Sequence, residues 1–515
     1  MGTAAGGQRH RAVLRDPAGP APAERRRTHR EHGLHGQPVR RLHPDRLHRH
    51  QGRAGVAGPV ARQRTGPATL QSLADKSLLE WTGGRCRMLE TIRAYGAEQL
   101  DAAGETERIR RDHARTLLEL LRAAGPWLLR AEQLRRLPAL TAEQPDLLVA
   151  VRWAVGAEET GTALELLAAA SSYLWIRGAA DTLAPQARAL LDTVGDTPPD
   201  GLSEEYAICV LLATAGRTGS AGPDERGVWR RCRGAAGVAL AEVWSGGRTG
   251  RYPAALLLWM LHNAAGEGDA PGAFALVAAQ RDSGEPWARA VARYVIGFGA
   301  LGDGNPAEAE EAFRTALAEF RALGDRWGAA LVLDALAGVA AARGDRRTAV
   351  ALTDEALGLA EQLGALEDCA DLLVNRGDQW ADTDPAAARA DYVRAAELAR
   401  RAGGTGALAA ALRGLGDIAL AERDRGTAQD LYTQALEQLG PHWVKGLGNR
   451  VRALAGLGRV AEAHGDHAEA RARYRQAAQT AGSAVPTAEA LPEALRLLGL
   501  PGPLVEPLVA AVSRW

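Results

Sequence analysis

Small and apolar residues in the C-terminal part of the chain fall into one recurring phrase. Aligned on its first alanine, the phrase reads Ala309…Phe313…Ala316-Leu317, Ala349…Thr353…Ala356-Leu357 and Ala388…Tyr392…Ala395-Ala396. Two further copies are Ala428…Tyr432…Ala435-Leu436 and Ala470…Tyr474…Ala477-Ala478, so that the anchor alanines stand 40, 39, 40 and 42 residues apart. Positions i, i+4 and i+7 share one face of a helix. The phrase therefore predicts an amphipathic helix whose alanines admit a close neighbour and whose aromatic fills the gap. A second helix is predicted upstream of the phrase, carrying Leu336-Ala337, Leu415-Gly416 or Leu457-Gly458. Gly344 and Gly465 stand at the turn between the two, where glycine tolerates the positive φ of a helix end. One such pair cannot bury its apolar face alone, whereas stacked pairs can. The fold expected is all-α: a superhelical solenoid of helix pairs, each touching only its neighbours.

Upstream the pattern changes. Leu70–Lys76 reads as the end of a helix. Ser77–Trp81 and Arg85–Leu89 read as short strands about Thr82-Gly83-Gly84, a hairpin signal. Thr91–Leu100 is then a helix with Ile92, Tyr95 and Gln99 one turn apart, stopped near Gly104. Helix, hairpin and helix in this order look like the close of a winged-helix domain. Residues 105–300 are helical but irregular as repeats, with helices predicted at His113–Arg122, Pro145–Val155, Ala163–Tyr173 and Ala184–Leu191 and a loop at Gly216–Asp224. Trp153, Trp175, Trp229, Trp244, Trp259 and Trp287 lie in or beside these helices, either as core or as an aromatic cage for an effector.

Residues 1–69 hold 14 Arg against 4 acidic residues, seven of the twelve histidines, and no Ile, Phe, Trp or Tyr. Such a segment cannot bury enough apolar area to offset its ordering entropy. A nucleic-acid arm and a metal-binding tract at His43, His48 and His50 compete with a shifted frame or misplaced start. The abrupt onset of regular pattern near Leu70 favours the last. The Pro-punctuated residues 484–515 read as helices that cap the last repeat. The expected division is 1–69, a disordered basic segment; 70–112, a winged-helix-like remnant; 113–300, irregular helical repeats; 301–482, regular repeats; and 483–515, C-terminal capping helices.

Composition adjusts this picture in three respects. The net charge of zero hides a basic first segment and an acidic remainder. Only Lys76 and Lys445 are lysines, a bias of a GC-rich gene rather than a sign of nucleic-acid binding. The four cysteines, Cys86, Cys209, Cys232 and Cys369, lack the spacing of a disulfide framework or a zinc site. No apolar run reaches the length of a membrane span, so a cytoplasmic location is expected.

The phrase of Leu-Gly, a seven-residue gap, Gly-Asp, Ala, Tyr and Ala-Leu resembles the tetratricopeptide repeat, with a longer segment between repeats. A second resemblance is carried by LADKSLLEW…RCRMLETIRAYGAEQL, by Glu143–Leu148 with Val151–Ala154, by Leu174–Gly178 and by Pro286–Ala290. Over about residues 70–480 the chain is similar to bacterial signal-transduction ATPases, the AfsR-type antibiotic regulators and their MalT-like and LuxR-type relatives. There the hairpin phrase follows a nucleotide-binding module and leads into an all-helical sensor. The resemblance implies the sensor and protein-interaction region of a truncated transcriptional regulator. A free-standing tetratricopeptide adaptor unrelated to transcription is the alternative.

Chemistry-bearing motifs are scarce. Lys76 precedes Ser77, but no glycine lies in Leu70–Asp75, and Lys445 precedes Gly446, so neither lysine can serve a phosphate-cradling loop. The G-x-G-x-x-G at Gly297, Gly299 and Gly302 would need a strand before it; helix-packing glycines are the plainer reading. His464 and His467 stand at ligand spacing without a third partner. No enzyme activity and no cofactor are expected. The expected partner is a protein or peptide in the repeat groove, or a small effector, and not nucleic acid or membrane. Counting back from each turn puts Asp334, Asp371, Asp378, Arg413, Asp417, Arg452, Arg459 and Glu462 on the concave face, acidic at one end and Arg-bearing at the other. We expect the purified chain to show no heat of nucleotide binding by calorimetry; micromolar ATP affinity would overturn this.

Overall fold

The computed structural model describes residues 67–82, 85–214, 223–245, 250–263, 270–439 and 444–482. The expectations for the basic N-terminal segment, most of the Gly216–Asp224 loop and the C-terminal caps fall outside them. The described chain begins with α1 (Pro67–Asp75), the strands β1 (Leu79–Thr82) and β2 (Arg85–Met88), and α2 (Glu90–Ala102). The strands pair antiparallel, Leu79 opposite Met88 and Thr82 opposite Arg85. This is the helix, hairpin and helix order read from the sequence. No residue of α2 is buried, and Tyr95 is exposed.

Then come α3 (Thr106–Ala124), α4 (Gln133–Gly156), α5 (Thr160–Ile176), α6 (Ala184–Val194), α7 (Ser203–Thr214), α8 (Pro223–Trp244), α9 (Ala254–Asn263) and α10 (Ala270–Ala278). Two helix starts depart from expectation: α3 begins seven residues before His113, and α4 starts twelve residues before Pro145 and runs through both Pro138 and Pro145. Proline removes a helical N–H, and the sequence reading took it as a start. Leu137, Leu140 and Leu147 are buried together on this helix, and their packing carries it through. Trp244, Trp259 and Trp287 are buried in the core, with Trp153 and Trp175 packed against it. Their places are spread along the core.

The regular repeats are five helix pairs: α11 (Pro286–Gly302) with α12 (Pro306–Leu323), α13 (Arg326–Ala342) with α14 (Arg346–Leu363), α15 (Leu366–Trp380) with α16 (Pro385–Ala402), α17 (Thr405–Ala421) with α18 (Arg425–Gln438), and α19 (Val444–Ala463) with α20 (His467–Gly482). Each helix packs most closely on its pair mate and then on the next in sequence. The protein is an all-α solenoid of the tetratricopeptide type. No helix among the described residues is long and apolar enough to cross a membrane.

The turn chemistry follows from the Gly-Asp pair in the phrase. Gly344 and Gly465 take φ of 78° and 79°. The next aspartate caps the second helix: Asp345 accepts from the Thr348 N–H at 3.1 Å and Asp466 from the Glu469 N–H at 3.0 Å. In the α17–α18 turn the left-handed place falls to Arg423, at φ 65°.

The aromatic of each second helix sits on bare backbone. A Cβ added to Gly416 would stand 2.9 Å from the Tyr432 ring, and one on Gly456 of the next repeat 2.4 Å from it. Tyr392 is held the same way between Gly377 and Gly414, Phe313 rests on Gly297, and Tyr474 on Gly458. Where the second helix carries Thr353 in place of a ring, the first carries Ala337 rather than glycine. The G-x-G-x-x-G segment lies inside α11, not after a strand, and Gly299 accommodates the Phe274 ring. Gly297 and Gly299 are packing glycines, and Gly302 has nothing within 4 Å of a Cβ position.

One expectation is corrected. The contacts are not only between neighbours, because the Leu128–Gln133 and Arg177–Gly178 segments return onto the turns at Leu323–Trp327 and Leu363–Glu367. Long-range polar contacts of this kind leave no periodic trace in sequence.

Gly414→Ala should destabilise by about 1–3 kcal/mol, since its Cβ would lie 2.4 Å from Tyr392. Gly338→Ala, in α13 with nothing within 4 Å, should be neutral or stabilising by about 0.5–1 kcal/mol. Tyr432→Ala should cost roughly 2–4 kcal/mol. Chemical denaturation of the three variants measures all of these, and equal effects of the two glycine changes would contradict the seating.

Candidate functional site

First helices of successive repeats pack directly on one another, α15 on α17 and α17 on α19. The polar residues these helices share form the candidate site. The eight sequence-selected residues all lie on these helices, and the structure joins most of them into one ladder.

Asp334 on α13 accepts from the Asn375 amide of α15 at 2.8 Å. Burial raises the Tyr294 hydroxyl pKa, helped by the Asp334 and Asp368 carboxylates, so these acids lie about one phenol. Asp371 is half-buried on the same helix. Asp378 is the busiest group. Its Oδ1 accepts from the Tyr392 hydroxyl at 2.6 Å and from Arg413 Nη1 at 2.9 Å. Its Oδ2 accepts from Arg413 Nη2 at 3.0 Å and from Arg452 Nη1 at 2.9 Å. One carboxylate therefore ties α15 to α16, α17 and α19.

Arg413 donates on to Asp417 Oδ2 at 3.1 Å, and its guanidinium carbon lies 6.0 Å from the Tyr392 ring centroid. Asp417 Oδ1 accepts from the Tyr432 hydroxyl at 2.7 Å, with Arg459 Nη1 4.0 Å away. Glu462 Oε2 accepts from the Tyr474 hydroxyl at 2.8 Å. The three tyrosines of the repeat phrase are thus anchored at both ends, ring on glycine and hydroxyl on an acid 12 to 15 residues upstream.

Electrostatics explains why so much charge is tolerated here. Burial opposes ionisation of Asp378, but Arg413 and Arg452 outweigh it and hold its carboxyl well below the usual carboxylate range. Burial likewise works against the Arg413 charge, and Asp378 with Asp417 pushes its pKa above the ordinary arginine value. Tyr392, Tyr432 and Tyr474 are raised by burial and by the carboxylates they donate to, so they remain protonated donors.

Exposure separates two classes among the eight. The Arg413 side chain is 1% exposed, and a Glu in its place would put like charges together out of water. Arg413, placed on an open groove face by sequence counting, is thus a buried rung, and Arg413→Glu would disturb folding. Arg459 is 40% exposed, Asp417 30% and Arg452 24%, so these can meet solvent or a partner. Sequence counting found the acids and arginines but missed Asn375 and the tyrosine hydroxyls. The recurring Tyr with an acid one helix upstream was the signal available. Among the described residues no group of three His, Cys, Asp or Glu is placed to hold a metal.

No protein-family model matches this chain, and no curated protein matches it in sequence. Solved structures do. A Rap protein complexed with competence and sporulation factor is 13% identical, with TM-score 0.39, covering 68% of this chain and 89% of that one. Yeast Tom70 is 12% identical, with TM-score 0.33, covering 77% and 96%. A chain of the APC/C hetero-tetramer Cut9–Hcn1 is 14% identical, with TM-score 0.37, covering 90% and 98%. At such values they are similar in kind only and say nothing of what this chain binds.

Arg413→Ala should cost about 3–5 kcal/mol by stranding buried carboxylate charge. Because the folded Asp378 pKa lies below its unfolded value, its stabilising contribution is present above about pH 4 and is lost as pH falls further. Thermal unfolding across acid pH should therefore show a shallower acid limb in Asp378→Asn than in wild type; parallel limbs would contradict the assignment.

Proposed function

We propose that the face built by α13, α15, α17 and α19 is a recognition groove for a protein or an extended peptide. We read the chain as the sensor and protein-interaction region of a transcriptional regulator of the signal-transduction ATPase type, working in the cytoplasm. The groove reading rests on one observation: Arg452, Arg459 and Asp417 are partly exposed, yet Arg452 is paired with Asp378, Asp417 with the buried Arg413, and Arg459 lies 4.0 Å from Asp417. Charged groups held in place lose less freedom on binding, and complementary charge sets orientation more than affinity. Asp334 and Asp371 make the α13–α15 end acidic, while Arg452 and Arg459 stand at the α19 end. A partner of opposite polarity would bind in one direction. The regulator part of the reading is supported by the sequence resemblance over residues 70–480 alone, and a small effector in place of a peptide would use the same ladder.

Arg459→Glu, at the most exposed of the three, should release partners captured by the wild-type chain while the helical circular dichroism signal is kept. Capture from a lysate with the two proteins in parallel, compared by mass spectrometry, decides it. An unchanged set of captured proteins would move the binding surface off this face.

A further inference from the structure

The return of the N-terminal helices onto the repeats is built from polar contacts at two successive repeat turns. At the first, Gln133 is fully buried and spans both partners. Its Nε2 donates to Leu128 O at 2.7 Å and to Asp325 Oδ1 at 2.5 Å, and its Oε1 accepts from the Arg326 N–H at 2.9 Å. Asp325 caps α13 through the Trp327 N–H at 3.0 Å, and its other oxygen accepts from Trp287 Nε1 at 2.7 Å. Ala131 N–H donates to Leu323 O at 3.1 Å. Gly324, in the left-handed region, leaves room for Ala131, because a Cβ there would stand 2.6 Å from Ala131 Cβ. At the second turn, Arg177 Nη1 donates to Leu363 O at 2.7 Å beside Gly364, and Gly178 lies against Glu367.

The two grips hold the starts of α13 and α15, which are consecutive groove helices. A solenoid changes shape by altering the pitch between repeats, and fastening two successive turns to one rigid body removes that freedom locally. Many apolar residues of the C-terminal repeats group in two further clusters, one from Ala409 to Val460 and one from Val451 to Ala481, while Ala407, Ala410, Ala411 and Ile418 of α17 belong to the main core.

We propose that this joint is a clasp: it fixes the pitch of the α13–α15 half of the groove, and its loss loosens that half without unfolding the chain. The clasp needs no occupant in the groove, so its test is independent of the partner reading.

Hydrogen exchange on the full-length chain reads it directly, comparing wild type with Gln133→Ala/Arg177→Ala and with Arg177→Ala alone. The double variant should exchange roughly tenfold faster across residues 320–370, with α18 and α20 within about twofold of wild type. Arg177→Ala, which removes only a half-buried guanidinium, should show the same pattern confined to the Leu363–Glu367 turn. Wild-type exchange over 320–370 in the double variant, acceleration spread evenly over every repeat, or loss of fold in both variants would overturn the clasp. The last outcome would make the joint part of the cooperative core.

Discussion

The seating of one aromatic ring on the bare backbone of two first helices is the contact on which the regular repeats depend. Tyr392 and Tyr432 each touch a glycine of their own repeat and another of the next. The same ring therefore closes a pair and stacks it on its neighbour. A methyl group at either glycine would fall inside the ring's van der Waals surface, and close-packed interiors have little room to yield. The small alanines at i and i+7 of the phrase serve the same end by letting helices approach until the ring is enclosed. Where Thr353 replaces the ring, Ala337 fills the space the glycine would have left open.

Enclosing a tyrosine creates a second requirement, since its hydroxyl must find a partner away from water. The fold supplies a carboxylate from the facing first helix, which itself would be costly to bury alone. Arg413 meets both Asp378 and Asp417, and Arg452 meets Asp378 from one repeat further on. The ladder is thus a consequence of packing, and its outer members form a pattern of charge along the first helices.

A chain of helix pairs coupled only to their neighbours would be soft along its whole length. The Gln133–Asp325 and Arg177–Leu363 contacts, 192 and 186 residues apart in sequence, break that one-dimensional rule and fasten two successive turns of the stack to the N-terminal helices.

The sequence by itself determined the helix pairs, their period, their turns and the face on which charge would gather. Each of these is set within one repeat by spacing and by the demands of glycine and apolar residues at fixed offsets. It placed Asp378, Arg413 and Arg452 on that face but could not tell a buried rung from an exposed one. Burial depends on which neighbouring helix covers a side chain, and that is fixed only when repeats stack. The course of α4 through Pro138 and Pro145 was likewise decided by the packing of Leu137, Leu140 and Leu147 against the core. The clasp was least legible of all. Gln133 and Arg177 follow no period, and only the closing of a loop of nearly two hundred residues brings them onto the turns at Gly324 and Gly364.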